Sequence, residues 1–564
     1  MEKTEIIKVP ALGDYENVEI IDILIKPDLI IKKETSLITL ETDKATMDIP
    51  SPAPARIVKV LVKLGDLVSE GDAIAEVIYS DTVPQKAAIN QTAQKSENPY
   101  TDLLIIGGGP GGYTAAFRAA DLGLSVTLVE KFSVLGGVCL NVGCIPSKSL
   151  LHCAEIIEES QDSNKIGIKF QKPEIDWQQV ITWKESVTQR LNKGLDQLVK
   201  ERQIIRIQGI ANFTSQNQVQ IQTNSDTQFI DFKQVVIATG SYPFQIPNFP
   251  ENEDIIDSTG VLALTEIPKS MLIIGGGIIG LEMATVYQAF GTEITVVEML
   301  DQLVPPADTD LVKPLQMALK KKGAKIMLST QVVDIAPTTS GLKVTFKGKK
   351  EIAPLNFEKV LVAVGRKPNT SHLGLEKIGV QLNEQGFIRT NAKMQSNLQH
   401  VYAIGDVVGN PMLAHKAAHE GKIAAEVAAG KKSVNDTKVI PSVAYTHPEI
   451  AWVGLTEKEA KTENIEYEKA VFPWAANGKS LSMNQGIGFT KLLFDPKNQK
   501  LLGAGIVGKH AGEMIAELAL AIEMGCDAED ISLTSHPHPT LSESIKMAAE
   551  IFDGTITDLP NPKK

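Results

Sequence analysis

The sequence predicts a multidomain protein, in which a small N-terminal β domain is joined by a linker to a larger α/β part. Residues 1–80 consist of short strand patterns with an internal repeat, since residues 23–37 align with residues 60–74 at a constant offset. Residues 81–99 are rich in Ala, Gln, Asn, Ser and Thr, which is typical of an extended, mobile linker. Apolar strand patterns alternate with helical patterns in residues 100–564, as in an α/β fold.

Composition and charge exclude several classes of protein. The chain has 564 residues, of which 43% are hydrophobic and 22% are charged, so it can build several domains with full-sized cores. The formal net charge of −12 leaves no general basic field, and we expect no nucleic-acid partner. No run of about 18 apolar residues is present, so we expect no membrane span. Only four cysteines and no secretory signal after Met1 indicate a reducing, cytoplasmic location.

Two glycine-rich turns each connect an apolar strand to a helical segment, and each is followed by a second strand that ends in a glutamate. The two sets share one spacing: Gly107, Gly109, Gly112 and Glu130, then Gly275, Gly277, Gly280 and Glu298. A bound phosphate must approach bare N–H groups at the helix N-terminus, where a Cβ would block the turn, the approach or the helix packing. The glutamate can accept both ribose hydroxyls of an adenosine. A turn without a ligand explains one copy, but two matching copies indicate two bound dinucleotides.

The simplest pair of dinucleotides is a flavin that stays bound and a nicotinamide that binds and leaves. Glu298 favours NAD over NADP, because a carboxylate repels a 2′-phosphate and no arginine follows it closely. A solvated residue at the end of a strand is the alternative interpretation of Glu298.

A cysteine pair follows the first of these glutamates. Cys139 and Cys144 lie in residues 136–148, which read Gly-Gly-Val-Cys-Leu-Asn-Val-Gly-Cys-Ile-Pro-Ser-Lys. A disulfide across so short a loop stabilises a fold by only about 2 kcal/mol, so redox chemistry beside a flavin is its better use. Two buried free cysteines on a helix are the alternative. Cys153 and Cys526 stand alone in apolar helical patterns, which indicates ordinary burial.

Exchange between thiols and a disulfide needs a base that accepts the proton of the incoming thiol. Near the C-terminus, residues 535–543 read Ser-His-Pro-His-Pro-Thr-Leu-Ser-Glu. His538 and Glu543 could form an imidazole that a carboxylate orients and makes more basic. His536 competes for this role, and a histidine before proline is often an ordinary turn residue.

Together these residues resemble the pyridine nucleotide-disulfide oxidoreductases, and within them the enzymes that oxidise dihydrolipoyl groups on 2-oxo-acid dehydrogenase complexes. The resemblance covers residues 100 to about 553. Besides the cysteine segment, four motifs carry it: Ala-Thr-Gly-Ser at 238–241, Ala-Val-Gly-Arg-Lys-Pro-Asn at 363–369, Ala-Ile-Gly-Asp-Val at 403–407 and His-Pro-Thr-Leu-Ser-Glu at 538–543.

The resemblance implies a division into domains and a set of ligand contacts. It implies an FAD domain in two pieces, 100–248 and 374–440, with an NAD domain at 249–373 inserted between them and a C-terminal α+β dimerisation domain at 441–564. It assigns to FAD the residues Gly107, Gly109, Gly112, Glu130, Ala211, Asp406 and Ala414. It assigns to NAD the residues Gly275, Gly277, Gly280, Glu298, Val332, Ala363, Gly365 and Arg366. Lys148, paired with Glu282, would face the reactive edge of the flavin, and no metal is implied.

Residues 1–80 look like a lipoyl domain. Residues 41–45, Glu-Thr-Asp-Lys-Ala, match the attachment signature, so the resemblance makes Lys44 the carrier of a lipoyl group. Apolar alternation on both sides of this segment places Lys44 near a hairpin tip. An ordinary surface lysine is the alternative. A lipoyl arm here could serve the chain's own active site or shuttle to an acyltransferase core, and the sequence leaves both open.

The implied reaction is the oxidation of protein-bound dihydrolipoamide by NAD⁺ through the enzyme disulfide and FAD. The active form would be a homodimer in which His538 acts on the disulfide of the other subunit. Its partner would be the dihydrolipoamide-bearing acyltransferase of a 2-oxo-acid dehydrogenase complex, most commonly that for pyruvate. Glu298 disfavours glutathione reductase, and the lack of a C-terminal cysteine pair disfavours mercuric and large thioredoxin reductases. The alternative from another class is a carrier or assembly module with an inactive flavoprotein half.

Overall fold

The structure is a computed structural model that describes residues 4–11, 17–27, 29–31, 33–41, 46–79 and 98–560. The chain divides into two compact units, Met1–Ser96 and Glu97–Lys564. Lys44 lies outside the described residues, as does all but the last two residues of the segment predicted to be a linker. Among the helices of the described ranges, none is long and apolar enough to cross a bilayer.

The N-terminal unit consists of short antiparallel strands in two sheets. The strands are β1 (Glu5–Lys8), β2 (Val18–Ile23), β3 (Ile30–Ile31), β4 (Ser36–Glu41), β5 (Thr46–Pro50), β6 (Ala55–Val60), β7 (Leu67–Val68) and β8 (Ala73–Tyr79). The sheet orders are β1-β8-β6-β3 and β5-β4-β2-β7. Alternate apolar residues such as Ile20 and Ile57 are fully buried in one core, as period-two strands require. Glu41 pairs with Thr46 at the end of the hairpin to which the sequence assigns Lys44.

The larger unit begins with alternating strands and helices. In chain order these are β9 (Tyr100–Ile106), α1 (Pro110–Asp121), β10 (Val126–Glu130), α2 (Gly137–Val142), α3 (Cys144–Asp162), α4 (Trp177–Glu201), β11 (Ile205–Gln208), β12 (Ile210–Ser215), β13 (Gln218–Gln222), β14 (Thr227–Ile237) and β15 (Ser241–Pro243).

A second alternating stretch follows. Its elements are β16 (Ile255–Ile256), β17 (Ser270–Ile274), α5 (Ile278–Ala289), β18 (Glu293–Val297), α6 (Thr309–Lys321), β19 (Lys325–Met327), β20 (Gln331–Thr338), β21 (Gly341–Lys347), β22 (Leu355–Phe357), β23 (Lys359–Val362) and β24 (Arg366–Pro368).

The remainder of the unit ends in an α+β region. Its elements are α7 (Leu375–Ile378), β25 (Val401–Ala403), α8 (Ala414–Ala428), β26 (Ser442–Ala444), β27 (Glu449–Gly454), α9 (Glu457–Glu463), β28 (Glu468–Pro473), α10 (Gly478–Ser482), β29 (Phe489–Phe494), β30 (Leu501–Gly508), α11 (Ala511–Met524), α12 (Ala528–Leu533) and α13 (Glu543–Asp553).

Three large sheets organise these elements. The first has the order β11-β10-β9-β14-β13-β12, and β25 joins it by parallel pairing with β14. The second, β16-β23-β17-β18-β19, is parallel throughout. The third, β26-β27-β30-β29-β28, is antiparallel. The central strands of the first two sheets are continuous apolar runs because both of their faces are covered. Helices pack on one face of each sheet, and the other face packs against antiparallel strands, β12 and β13 in the first sheet and β20, β21 and β22 in the second.

The path of the chain positions the site. β9 and β17 are central strands, and each ends at one of the glycine-rich turns. Ligands of such sheets bind in the crevice beyond the carboxyl ends of the strands. After the second sheet is complete, the chain returns to the first through β25, so residues distant in sequence meet at the same edge.

Candidate active site

The first and third glycines of each turn are required by packing. A Cβ on Gly107 would lie 2.3 Å from the carbonyl oxygen of Ala238, and one on Gly275 would lie 2.4 Å from that of Ala363. The third glycines pack as closely, since their Cβ atoms would lie 1.8 Å and 2.3 Å from the carbonyl oxygens of the first glycines. The helix therefore begins directly against the end of the strand, with its free N–H groups over the turn.

The middle glycines lie against open space. A Cβ on Gly277 would meet no atom within 4 Å, and one on Gly109 would meet only the Cα of Gly137 at 3.9 Å. Packing within the protein does not explain glycine at these two positions. A phosphate group that passes close to the backbone does explain it, so the turns fit the pyrophosphates of FAD and NAD.

The two acidic residues are held in the same way. Glu130 accepts hydrogen bonds from the N–H groups of Gly108, at 2.7 Å, and Phe132, at 3.0 Å. Glu298 accepts from Gly276 at 2.7 Å and from Leu300 at 2.8 Å. Each carboxylate is thereby fixed beside its turn, where a ribose would lie. The residues after Glu298 are the exposed apolar Met299 and Leu300, which offer no cation to a 2′-phosphate.

The two cysteines lie on either side of a helix break. Cys139 is in α2, Cys144 is the first residue of α3, and Gly143 between them has φ −149° and ψ −113°. The two free thiols hydrogen-bond to each other. That bond lowers the pKa of Cys144 to about 7, and the Lys148 ammonium lowers it too. The same bond and burial raise the pKa of Cys139. Cys144 is therefore the thiolate of the pair, at a helix N-terminus that favours negative charge.

Lys148 connects the cysteine helix to two other segments. Its Nζ lies 2.9 Å from Oε2 of Glu282, a residue of α5 that is 4% exposed. The backbone N–H of Tyr445 donates to Oε1 of Glu282 at 3.1 Å, and Nζ of Lys148 lies 4.4 Å from the centre of the Tyr445 ring. The lysine is thus fixed close to Cys144 by a buried carboxylate and an aromatic ring. No signal in the sequence points to Tyr445, because it lies far along the chain and belongs to none of the motifs.

The two histidines near the C-terminus have different environments. Nδ1 of His538 lies 2.9 Å from Oε1 of Glu543, and its side chain is 78% exposed. Burial raises the pKa of Glu543, but hydrogen bonds from Thr540 and His538 hold it below its ordinary value. Both ring nitrogens of His536 have partners, since Nδ1 bonds to Thr534 and Nε2 bonds to Glu517. Of the four ring nitrogens of these two histidines, only Nε2 of His538 has no partner among the described residues, so it is the one available to a substrate.

The remaining predicted site residues are distributed over several elements of the larger unit. Asp406 lies in a short turn after β25, and Ala414 begins α8, so its N–H has no acceptor within the helix. Ala211 is 3% exposed on the edge strand β12, where only its backbone can meet a ligand. Val332 is 7% exposed near the start of β20. Ala363 and Gly365 follow β23, whereas the Arg366 side chain donates to Ser241.

With this geometry established, comparison with known proteins gives the class. The chain belongs to the pyridine nucleotide-disulphide oxidoreductase family, which residues 101–421 match. Residues 440–549 match the dimerisation domain of the same family, and residues 5–77 match the family described as biotin-requiring enzyme, which includes lipoyl domains. Proteins of the first family use FAD and NAD or NADP, and lipoyl domains carry their group on a lysine. The predicted fold class is thereby confirmed.

Several curated relatives have one name. The chain is 50% identical over 463 residues to a dihydrolipoyl dehydrogenase of Vibrio parahaemolyticus, an alignment that covers 82% of this chain and 97% of the relative. It is 51% identical over 465 residues to that of Haemophilus influenzae, with the same coverage. It is 44% identical over 456 residues to that of Bacillus subtilis, covering 81% of this chain and 97% of the relative.

Solved structures share the fold. An HOCl-induced flavoprotein disulfide reductase, RclA from Escherichia coli, aligns with a TM-score of 0.71 at 27% identity, over 80% of this chain and 99% of that chain. LpdA from Mycobacterium tuberculosis aligns with a TM-score of 0.74 at 23% identity and the same coverage, which supports the fold alone.

Proposed function

We propose that the chain oxidises protein-bound dihydrolipoamide with NAD⁺, as the flavoprotein component of a 2-oxo-acid dehydrogenase complex. The observation that carries this proposal is the thiol pair, in which Cys144 has its pKa lowered to about 7 and Cys139 has its pKa raised. The relatives named dihydrolipoyl dehydrogenase support the substrate. The acyltransferase partner and the cytoplasmic location are part of the proposal, and the pyruvate complex is our first expectation.

The chain's residues divide the thiol chemistry between them. A substrate thiolate attacks Sγ of Cys139 in the oxidised enzyme, the bond to Cys144 breaks, and a mixed disulfide with Cys139 forms. Cys144 leaves as a thiolate, which its lowered pKa favours. The second thiol of the substrate then attacks the substrate sulfur that is bonded to Cys139. The bond to Cys139 breaks, lipoamide is released and the enzyme is left as a dithiol. Bound FAD supplies the two-electron acceptor between this dithiol and NAD⁺.

His538 moves the proton in this scheme. Its Nε2 accepts the proton of the incoming substrate thiol, while Glu543 at Nδ1 fixes the tautomer and stabilises the imidazolium. Within one chain, His538 hydrogen-bonds to Glu543 alone among the described residues and is 78% exposed. We therefore propose a homodimer in which the ring serves the cysteine pair of the other subunit. The match of residues 440–549 to a dimerisation domain supports this arrangement.

The cofactors follow the glycine turns. We assign FAD to the turn after β9 with Glu130, Ala211, Asp406 and Ala414, and NAD to the turn after β17 with Glu298, Val332 and residues 363–366. Lys148 and Glu282 would lie at the flavin edge, and the domain boundaries follow those expected from the sequence. Lys44 would carry the lipoyl group. The open space at the middle glycines supports the two assignments.

An NAD-linked dihydrolipoamide assay of the purified full-length chain tests the proposal. We expect a yellow protein that reduces NAD⁺, and a Cys144→Ser variant that stays yellow without turnover. Cys153→Ser is the matched control, because Cys153 packs against the apolar core outside the pair, and it should behave as wild type. A colourless wild-type protein would support the carrier alternative, and turnover by the Cys144→Ser variant would refute the assigned chemistry.

The role of the lipoyl arm needs a separate experiment. Intact mass shows whether Lys44 is lipoylated, and Lys44→Arg removes the attachment amine. A rate that is unchanged with free dihydrolipoamide but lower in the assembled complex supports shuttling to the acyltransferase. A lower rate in both assays supports the alternative, in which the lipoyl arm on Lys44 acts at the chain's own active site.

A further inference from the structure

A chain of hydrogen bonds connects Arg366 to Asp406 through one hydroxyl. Nε of Arg366 donates to Oγ of Ser241 at 2.6 Å, and Nη2 donates to the carbonyl oxygen of the same serine at 2.7 Å. The Ser241 hydroxyl donates to Oδ2 of Asp406 at 2.5 Å. A hydroxyl has one proton, and a guanidinium can only donate. Because Ser241 accepts from the arginine, its single hydroxyl proton is donated to the aspartate.

The backbone around Ser241 is fixed by a two-stranded ribbon, in which the strand after β14 pairs with the strand after β23. β15 and β24 pair with each other, so that Pro243 lies opposite Arg366. The N–H of Asn369 donates to the carbonyl oxygen of Gly240 at 2.8 Å, which extends this ribbon. The guanidinium and the hydroxyl are thus held at a set separation, as a positioning role requires.

Asp406 is braced from its other side by a buried ion pair. The N–H of Gly405 donates to Oε2 of Glu420 at 2.7 Å, and Nζ of Lys416 lies 3.0 Å from the same carboxyl group. Both side chains of this pair are under 10% exposed. Oδ1 of Asp406 accepts no hydrogen bond from any residue that the structure describes, so it remains available to a ligand on the half-buried side of the turn.

We propose that Arg366 is a positioning residue of the FAD site, which orients Ser241 so that Asp406 presents Oδ1 to hydroxyl donors of FAD. This inference rests on the proposed function and revises one of its assignments, since the resemblance to the family assigned Arg366 to NAD. Burial lowers the pKa of Arg366 and the Asp406 carboxylate raises it, as for a guanidinium that stays charged in a half-buried network.

Four variants of the full-length holoenzyme test the proposal: Arg366→Met, Arg366→Lys, Ser241→Ala and the double variant Arg366→Met with Ser241→Ala. The readouts are the Kd for FAD, from the fluorescence of released flavin, and the KM for NAD⁺ at saturating FAD. We expect Arg366→Met and Ser241→Ala each to raise the FAD Kd about tenfold or more, the change expected for a hydrogen bond to a charged group. Arg366→Lys keeps the charge and a donor nitrogen, so its Kd for FAD should lie between that of the wild type and that of Arg366→Met.

The double variant tests whether the two residues act as one chain. If Arg366 acts through Ser241, the double variant binds FAD no worse than either single variant, because the second change removes nothing further. The matched control is Lys367→Met, the next residue of β24, whose ammonium contacts the Phe244 ring. We expect it to leave the FAD Kd unchanged.

A KM for NAD⁺ that rises tenfold in Arg366→Met with an unchanged FAD Kd would overturn the inference and return the residue to the NAD site. Additive losses in the double variant would also overturn it. If Arg366→Met does not fold, Ser241→Ala alone decides, because it removes one hydroxyl and an unchanged FAD Kd contradicts the relay. A colourless wild-type protein would instead be a failure of the proposed function.

Discussion

Removal of the charges around Cys144 provides a strict test of the site's electrostatics. The pKa of this thiol is lowered from its ordinary value of 9.0 to about 7, first by the hydrogen bond from Cys139 and then by Lys148, while Glu282 raises it. Lys148→Met removes the favourable charge and leaves the buried carboxylate of Glu282 uncompensated, so both effects raise the pKa. Glu282→Gln leaves the ammonium unopposed, so the pKa falls below 7.

The expected size of these shifts follows from the usual influence of a nearby charge. A charge within several ångströms shifts a pKa by about one unit or more. We therefore expect the Cys144 pKa to rise to about 8 or above in Lys148→Met. The double variant Lys148→Met with Glu282→Gln should return close to wild type. At pH 7 a thiol with a pKa of 7 is about half ionised, whereas one with a pKa of 9 is about 1% ionised.

The assay is the alkylation rate of the reduced holoenzyme with iodoacetamide as a function of pH. The rate follows the thiolate fraction, so its midpoint reports the pKa of Cys144, and Cys139 contributes little because its own pKa is raised. Cys153→Ser serves as the control for alkylation elsewhere. A midpoint near 9 in wild type, or shifts of one sign in both single variants, would refute the electrostatic account.

Three further predictions concern the base, a glycine turn and a buried cluster. His538→Gln should lower turnover about 10²-fold or more with FAD retained, measured with dihydrolipoamide at saturating NAD⁺, and an unchanged rate would contradict its role as base. Gly277→Ala should keep the wild-type Tm but raise the KM for NAD⁺, whereas Gly280→Ala should lower the Tm, because only the second Cβ meets backbone, at 2.3 Å. Nζ of the fully buried Lys491 lies 2.8–2.9 Å from three carboxylates, so Lys491→Met leaves these charges uncompensated. We expect denaturant unfolding to show a loss of about 3–5 kcal/mol in the free energy of unfolding. A loss below about 1 kcal/mol would contradict this reasoning.

The sequence predicts the parts of this protein whose chemistry depends on local spacing. The glycine turns could be recognised because the third glycine of each turn must pack against the carbonyl oxygen of the first, five residues earlier, which fixes their spacing in the sequence. The thiol pair could be recognised because Cys139 and Cys144 are close in sequence. The sheet order and the return of β25 to the first sheet depend on long-range pairing, and the resemblance to a family supplied the expectation that the first domain is split.

Side-chain direction across distant segments could not be predicted. The sequence left His536 and His538 as competitors, and the structure distinguishes them because Glu517, on another helix, occupies Nε2 of His536. Arg366 belongs to a motif that the resemblance assigns to NAD, but the pairing of β15 with β24 brings its guanidinium to Ser241. The contact of Arg366 depends on strand register between residues more than a hundred positions apart, and that of His536 depends on how a loop packs against the helix 19 positions before it.

The central claim is that a substrate dithiol reduces NAD⁺ through the pair of cysteines. Its most direct test is the stoichiometry of NADH formation from dihydrolipoamide under anaerobic conditions, in the wild-type holoenzyme and in Cys144→Ser. The proposed function predicts one NADH for each lipoamide formed in wild type and none in the variant. NADH formed at an undiminished rate by the variant, or lipoamide formed without NADH by wild type, would contradict it.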